Sequence, residues 1–100
     1  GVRRESFSSA GATVSRYAFA PGASFPLHSH PQEQITIVEE ESVESTIAGE
    51  TTALEADSWS VVGPGIEHGI TAGSAGARIL AVVVPRREHA DDYPLSGGDA

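Results

Sequence analysis

Three histidines and one glutamine have the residue types and the spacing of a metal-binding site. His28 and His30 are one residue apart in a stretch with the pattern of a β-strand, so their imidazoles are expected on the same face. Gln34 follows the step from His30 to Pro31, and His68 comes after a Gly/Pro turn. Three imidazoles and one amide oxygen suit a divalent transition metal of the Mn, Fe, Co, Ni, Cu or Zn group. Spacing alone leaves a structural alternative, in which the paired histidines line an exposed strand.

The segment that holds these residues resembles the cupin superfamily. Its two motifs are matched by Gly22, His28, His30, Gln34, Gly65 and His68. Gln34 stands at the glutamate position of the first motif, as in small cupins with an HxHPxEQ pattern. Glu41, Gly63 and Ala72 depart from the motifs at turn and flanking positions, and not at the four ligand positions. The resemblance covers about residues 14–87, and it implies a small jelly-roll barrel (a double-stranded β-helix) holding one metal ion with open positions for solvent.

Within this superfamily, the chain is most similar to small glutamine-ligand cupins, which include the pectin-degradation proteins that open unsaturated uronate rings. The last strand of those proteins carries an aspartate, a phenylalanine and an arginine implicated in catalysis. The matching positions here are Ala81, Val83 and Arg87. The arginine is retained and the acid is missing, so the resemblance implies the fold and the metal but not the same reaction. Arg87 is therefore a candidate catalytic residue. Glu33, Tyr17 and metal-bound hydroxide are candidate proton carriers.

The neutral ligand set favours catalysis, because it leaves the full charge of the ion available to polarise a substrate oxygen. The leading hypothesis is a metal-dependent enzyme that acts on a small oxygenated or carboxylate substrate by isomerisation, lyase chemistry or ring opening. One alternative is a cupin dioxygenase, which would use a redox-active metal. The other is a non-catalytic module that binds a metal or a small ligand.

Composition bounds the remaining possibilities. One hundred residues make one domain, with a body at about 3–87 and a polar C-terminal arm at 88–100, in which His89 is expected to be solvated. The net charge of −8 disfavours nucleic acid, and no apolar run is long enough to span a membrane. The chain has no cysteine, so disulfides and thiolate metal ligands are excluded. No signal peptide is visible, and a cytoplasmic location is expected by default.

Short alternating segments separated by turn residues predict an all-β fold. We predict nine strands, at residues 3–7, 13–20, 24–30, 34–39, 42–47, 51–55, 58–62, 69–71 and 77–84. Residues 48–50 predict a hairpin turn with Gly49 at positive φ. The three glutamates at 39–41 predict a solvated loop. Residues 79–84 are all apolar, which predicts a strand buried on both faces. Since the barrel can cover only one face, we expect a homodimer to cover the other.

Six further side chains carry expectations about the interior of the barrel. Core packing is expected for the aromatic residues Tyr17, Phe19, Phe25 and Trp59, with a pocket wall as the alternative. Arg16 and Arg78 lie inside predicted strands, where an arginine facing the lumen could bind a carboxylate with both nitrogens. A surface position for these two arginines is the alternative.

Overall fold

A computed structural model describes residues 1–87, which form β-strands and turns without a helix. The seven strands are β1 (Val2–Ser8), β2 (Thr13–Phe19), β3 (Ser24–His28), β4 (Glu33–Ile47), β5 (Glu50–Leu54), β6 (Trp59–Val62) and β7 (His68–Val84). The predicted arm at 88–100, with His89, lies outside the described residues. No helix in the described part has the length and apolarity of a membrane span.

All pairings are antiparallel, and the long strands β4 and β7 organise them. The first part of β4 pairs with the last part of β7. In this layer β2 pairs with the other edge of β7 and carries β1, and β6 pairs with the other edge of β4. In the second layer, the last part of β4 pairs with the first part of β7. There β5 pairs with the other edge of β4, and β3 pairs with the other edge of β7. The β4–β7 ladder therefore contributes to both layers of the jelly roll, which confirms the predicted fold class.

Two predicted breaks are wrong, because β4 and β7 are continuous where two strands each were expected. The register of the β4–β7 ladder shifts between Val38 and Glu40 and again between Glu41 and Val43. Such bulges bend a strand without ending it. The polar and glycine residues that signalled loops therefore mark the bend between the layers. The hairpin prediction is confirmed, with Gly49 at a φ of 85°.

The three glutamates at 39–41 lie in this bend of β4 and not in a loop. Glu41 adopts a φ of 65°, a conformation that fits a bulge. Arg16 Nε lies 3.3 Å from Glu39 Oε1, and Arg78 Nε lies 3.8 Å from Glu40 Oε1. Both arginine side chains are nearly half exposed. The surface alternative is therefore correct for the two arginines, and they do not face the lumen.

The core lies between the layers at the bend, and it consists of inward-facing residues of alternating strands. Tyr17, Phe19 and Phe25 belong to it as predicted. Trp59 does not: it lies opposite Ile37 on the outer face of β6 and is 69% exposed. The prediction for Trp59 failed because a four-residue strand gives too little periodicity to fix its inward face.

The apolar run at the end of β7 is buried on one face only. Ala81 and Val83 point inward and are 2% and 1% exposed, whereas Val84 is 44% exposed. Residues 79–84 were expected to be buried on both faces of the strand, and within one chain they are not. On the outer face of β7, Leu80 and Val82 are partly buried by other described residues, and Val84 is exposed.

Candidate metal centre

His28 reaches the lumen from the end of β3 because that strand contains a bulge. Phe25 pairs with Ile70, and His28 pairs with His68, so three steps along β3 match two steps along β7. The extra residue lets Phe25 and His28 point to the same side, although an odd spacing would normally separate them. The rings of Phe25 and His28 pack with centroids 4.8 Å apart.

His30 lies beyond the end of β3, so regular strand geometry does not place it. The predicted strand at 24–30 is two residues too long. The backbone carbonyl of His30 accepts a hydrogen bond of 2.8 Å from the amide of Gly65, which lies in the turn before His68. Gly65 has a φ of 75°, which a glycine adopts without a steric penalty. His30 lies in the connection between β3 and β4, and this hydrogen bond attaches that connection to the turn before His68.

The three histidines form one cluster. His28, His30 and His68 each offer a ring nitrogen, and these atoms lie within 4.8 Å of one another. The ring centroids of His28 and His68 are 4.3 Å apart, and those of His30 and His68 are 4.9 Å apart. Donor atoms around a single ion with bonds of about 2.1 Å would be about 3 to 3.5 Å apart. Shifts of about 1 Å or less would therefore let all three bind one ion.

A backbone carbonyl lies next to Nδ1 of each ring. Nδ1 of His28 bonds to Pro26 O at 2.8 Å, Nδ1 of His30 to Gln32 O at 3.1 Å, and Nδ1 of His68 to Ile66 O at 2.9 Å. A carbonyl only accepts, so in the neutral rings of His28 and His68 Nδ1 carries the hydrogen and Nε2 keeps its lone pair. Nε2 of His68 is a buried atom with no hydrogen-bond partner among the described residues. Second-sphere bonds of this kind orient metal-binding histidines, so these residues fit a metal ion.

Gln34 lies beside His30 with its amide oxygen directed at the ring. Oε1 of Gln34 is 3.1 Å from Nε2 of His30, while Nε2 of Gln34 donates to Thr36 Oγ1 at 2.9 Å. Gln32 O at Nδ1 and Gln34 Oε1 at Nε2 both only accept, so a neutral His30 ring can donate to only one of them. When His30 donates from Nδ1, its Nε2 and Gln34 Oε1 both offer lone pairs, and neighbouring donors of one ion lie about 3 Å apart. The geometry therefore agrees with Gln34 as the fourth ligand.

Burial favours the neutral form of two histidines of the cluster, His28 and His68. It lowers the pKa of His68 to about 4, against a smaller opposing effect of the Ile66 carbonyl. It also lowers the pKa of His28, where the charges of His30 and Arg87 act in the same direction. A neutral imidazole is the form that binds a metal. Burial therefore favours the metal-binding form of His28 and His68.

Arg87 is a fully buried side chain in the lumen, 2% exposed. Its Nη2 donates to Ser15 Oγ at 3.0 Å, and its backbone amide donates to Thr13 Oγ1 at 2.9 Å. Ser15 Oγ lies 2.7 Å from Ser6 Oγ, so the contact continues into a hydroxyl pair at the sheet edge. Burial is the main cause of the lowered pKa of His28, and the positive charge of Arg87 adds a small effect in the same direction.

The structure does not bring the two predicted proton carriers into the cluster. Glu33 is exposed and points to the face of β4 opposite Gln34. Tyr17 is buried in the apolar core, where its ring contacts Phe25, which lies next to His28. Ala81 is buried in the lumen, opposite Thr36 and Ser15. The position at which the uronate-processing cupins carry an acid thus faces the site, but it holds no carboxyl group here.

Two residues of the site were not singled out from the sequence. Thr36 supports the amide of Gln34, and Ser15 binds Arg87. The spacing of Gln34 and Thr36 in an alternating strand would have placed both on one face. No sequence signal links Ser15 to Arg87, since the two are far apart in the chain.

An antiparallel jelly roll with a three-histidine cluster at one end of its lumen defines a class of small metal-binding barrels. The Cupin domain family profile matches residues 15–83. The chain therefore belongs to the cupin domain family. No curated protein matches the sequence.

Solved structures with the same fold are numerous. An RmlC-like cupin from Shewanella frigidimarina NCIMB 400 is 24% identical, with 88% of this chain and 79% of that chain covered and a TM-score of 0.83. KdgF from Halomonas sp. is 23% identical, with 88% and 82% covered and a TM-score of 0.83. TT1209 from Thermus thermophilus is 22% identical, with 85% and 86% covered and a TM-score of 0.77. At these identities the likeness shows the fold alone.

Proposed function

We propose that this cupin binds one divalent transition metal ion through His28, His30, Gln34 and His68 and acts on a small oxygenated or carboxylate substrate. The observation that carries the proposal is the convergence of the three rings, whose ring nitrogens lie within 4.8 Å of one another while each Nδ1 contacts a backbone carbonyl. The buried Nε2 of His68 adds to it. The ion, when bound by neutral donors, would supply Lewis-acid polarisation of a substrate oxygen.

Arg87 is the residue that we assign to the substrate carboxylate. It is buried, its guanidinium is oriented by Ser15, and its charge reaches His28. An arginine held in this way binds a carboxylate with geometric specificity. The assignment also agrees with the arginine that the sequence shares with uronate-processing cupins, and KdgF is among the proteins of similar fold. The reaction class that we propose is isomerisation or lyase chemistry.

A binding module without turnover is the second candidate function. It is favoured by Ala81, which leaves the lumen-facing position of the missing acid without a proton carrier. The metal site and Arg87 would then hold a small acid without transforming it. The identity of the metal and a cytoplasmic location stay predictions.

Metal analysis tests the site. His28→Ala combined with His30→Ala should lower metal affinity more than a thousandfold, because two of four donors are lost, while the β-rich circular dichroism spectrum is kept. His89→Ala, which changes the one histidine that is not among the proposed ligands, is the matched control. Full metal occupancy of the double variant would contradict the assignment.

Turnover assays separate the candidate functions. The reconstituted protein is incubated with unsaturated uronates and keto acids while oxygen uptake is recorded. Product formation without oxygen uptake, lost in Arg87→Met, is expected. Oxygen uptake would indicate the dioxygenase alternative, and carboxylate binding without product would indicate the binding module.

We also propose a homodimer formed through the outer face of the layer that contains β1, β2, β6 and the adjoining parts of β4 and β7. One line of cross-strand neighbours on this face is apolar on all five strands, and it consists of Phe7, Val14, Val82, Ile35 and Val61. Phe7 is 65% and Val61 54% exposed, and Trp59 lies in the next row. Contiguous apolar surface of this kind marks an interaction site. Arginines and glutamates of the adjacent rows supply both charges, as a self-complementary contact requires.

The proposed interface is tested by measuring the oligomeric state with light scattering after size-exclusion chromatography. Val61→Glu should convert the dimer to a monomer, because it places a charge within the apolar contact surface. Leu27→Glu is the matched control, since Leu27 is equally exposed, at 54%, on the other layer. A monomeric parent protein, or a dimer that survives Val61→Glu, would refute the proposal.

A further inference from the structure

A groove of about 440 Å³ lies between β5 and β6. Both strands pair with β4, but with successive stretches of it, so their own edges do not pair with each other. The groove is lined by Ser45, Ile47, Glu50, Thr52, Leu54 and Ser60 of β4, β5 and β6, with Ala48 and the exposed ring of Trp59 at its margin. Its volume is in the range of small-molecule sites.

Both walls of the groove adjoin the candidate metal centre. Ile47 pairs in register with His68. Ser60 pairs with Thr36, whose hydroxyl accepts from Gln34. Paired residues have Cβ atoms about 5 Å apart. A ligand that reaches the metal with one end can therefore lie in the groove with the rest of its length.

The side chains of the groove select for hydroxyl groups. Ser45, Thr52 and Ser60 can each donate and accept, and Glu50 accepts from two hydroxyls at once. Ile47 and Leu54 offer apolar surface to carbon atoms. The only charged residue among those that line the groove is an acid, so a second anionic group of a ligand would be repelled there.

We propose that this groove binds the uncharged, polyhydroxylated part of the substrate whose oxygen atoms lie at the metal centre. The inference rests on the proposed metal site, and it narrows the substrate class to hydroxylated acids of about six carbons. The two ends of such a molecule meet different surroundings. Its carboxylate lies with Arg87 and the metal, and its hydroxyl groups lie along β5.

The test uses the zinc-loaded full chain and two probes of equal length and charge, gluconate and hexanoate. Zinc occupancy is measured first. Binding is then followed by titration calorimetry and by amide chemical shifts. Thr52→Val removes a hydroxyl on the groove side of β5, and Thr51→Val is its matched control, because Thr51 is equally exposed but lies on the opposite face, where it bonds to Thr46.

Gluconate should bind at least tenfold more tightly than hexanoate and shift the amides of Ile47, Thr52 and Ser60. Thr52→Val should weaken gluconate about three- to tenfold, the effect of one hydrogen bond, and leave hexanoate unchanged. Thr51→Val should change neither.

Three results would overturn the groove assignment alone while zinc stays bound. These are equal binding of the two probes, unshifted groove amides, and equal effects of the two threonine variants. Failure of the parent chain to hold zinc would instead overturn the proposed metal site, and the groove assignment with it.

Discussion

The two ends of the barrel lumen are built by the same strands but differ in chemistry. At the bend, β2, β7 and β4 contribute Tyr17, Ile79 and Val38 in adjacent register, and each is 2% exposed or less. Two residues further along, the same strands contribute Ser15, Ala81 and Thr36, and two further still Thr13, Val83 and Gln34. Alternation sets which side chains point inward. Position along the strand sets whether they meet a core or a site.

This difference separates stability from function. Apolar burial at the bend supplies the favourable free energy of folding. Polar groups at the other end cost free energy unless they are hydrogen-bonded, and the contacts of Ser15, Thr36 and Arg87 offset that cost. We therefore expect changes at the bend to act on folding and changes at the metal end to act on binding.

The largest effect is expected at the bend. Ile79→Ala should lower the free energy of unfolding by about 2 to 4 kcal/mol, because it leaves a cavity in the core, and should leave metal affinity within a few-fold of the parent value. Urea unfolding and metal titration measure the two quantities. Leu27→Ala, at an exposed position, is the control and should change stability by less than about 0.5 kcal/mol. A large loss of metal affinity in the folded Ile79→Ala protein would contradict the separation.

A smaller effect is expected from pH on the metal-free protein. The pKa of His68 is lowered to about 4 from 6.5, and that of His28 is lowered as well. A folded pKa below the unfolded value gives stability that is present above about pH 6.5 and is lost as pH falls toward 4. The expected loss is about 2 to 3 kcal/mol, measured by urea unfolding across this range.

His68→Gln should flatten this pH profile, and His89→Ala should not. A profile that is unchanged in His68→Gln would show that other groups cause the acid sensitivity.

The smallest effect is expected from the support of Gln34. Thr36→Val keeps the shape of the side chain and removes the acceptor for the amide of Gln34, so metal affinity should fall about tenfold. Thr46→Val, on the outer face of the same strand, is the control. Equal metal affinities of the Thr36 and Thr46 variants would show that the hydrogen bond from Gln34 to Thr36 does not affect metal binding.

Local patterns were sufficient for most of the strands, whereas the histidine cluster also needed the resemblance to cupins. The boundaries of β1, β2, β5 and β6 differ from the prediction by a residue or so. HxH spacing alone left a structural alternative open for His28 and His30, and the structure places both side chains together with His68. Local patterns did not predict which residues could act as proton carriers at the site, since Glu33 and Tyr17 lie outside the cluster. The inward face of Tyr17 could be read from alternation, but its separation from the histidines by Phe25 could not.

The sequence by itself determined which residues bear donor atoms and which positions along each strand share a face, because both follow from residue type and a period of two. Only the tertiary structure decided that β4 and β7 run unbroken through their bend, that Trp59 points outward and that Arg87 lies beside the metal end. Each of these depends on pairing between residues far apart in the chain. A one-residue bulge, such as the one that turns His28 inward, reverses the face of a side chain without leaving a mark in the local pattern.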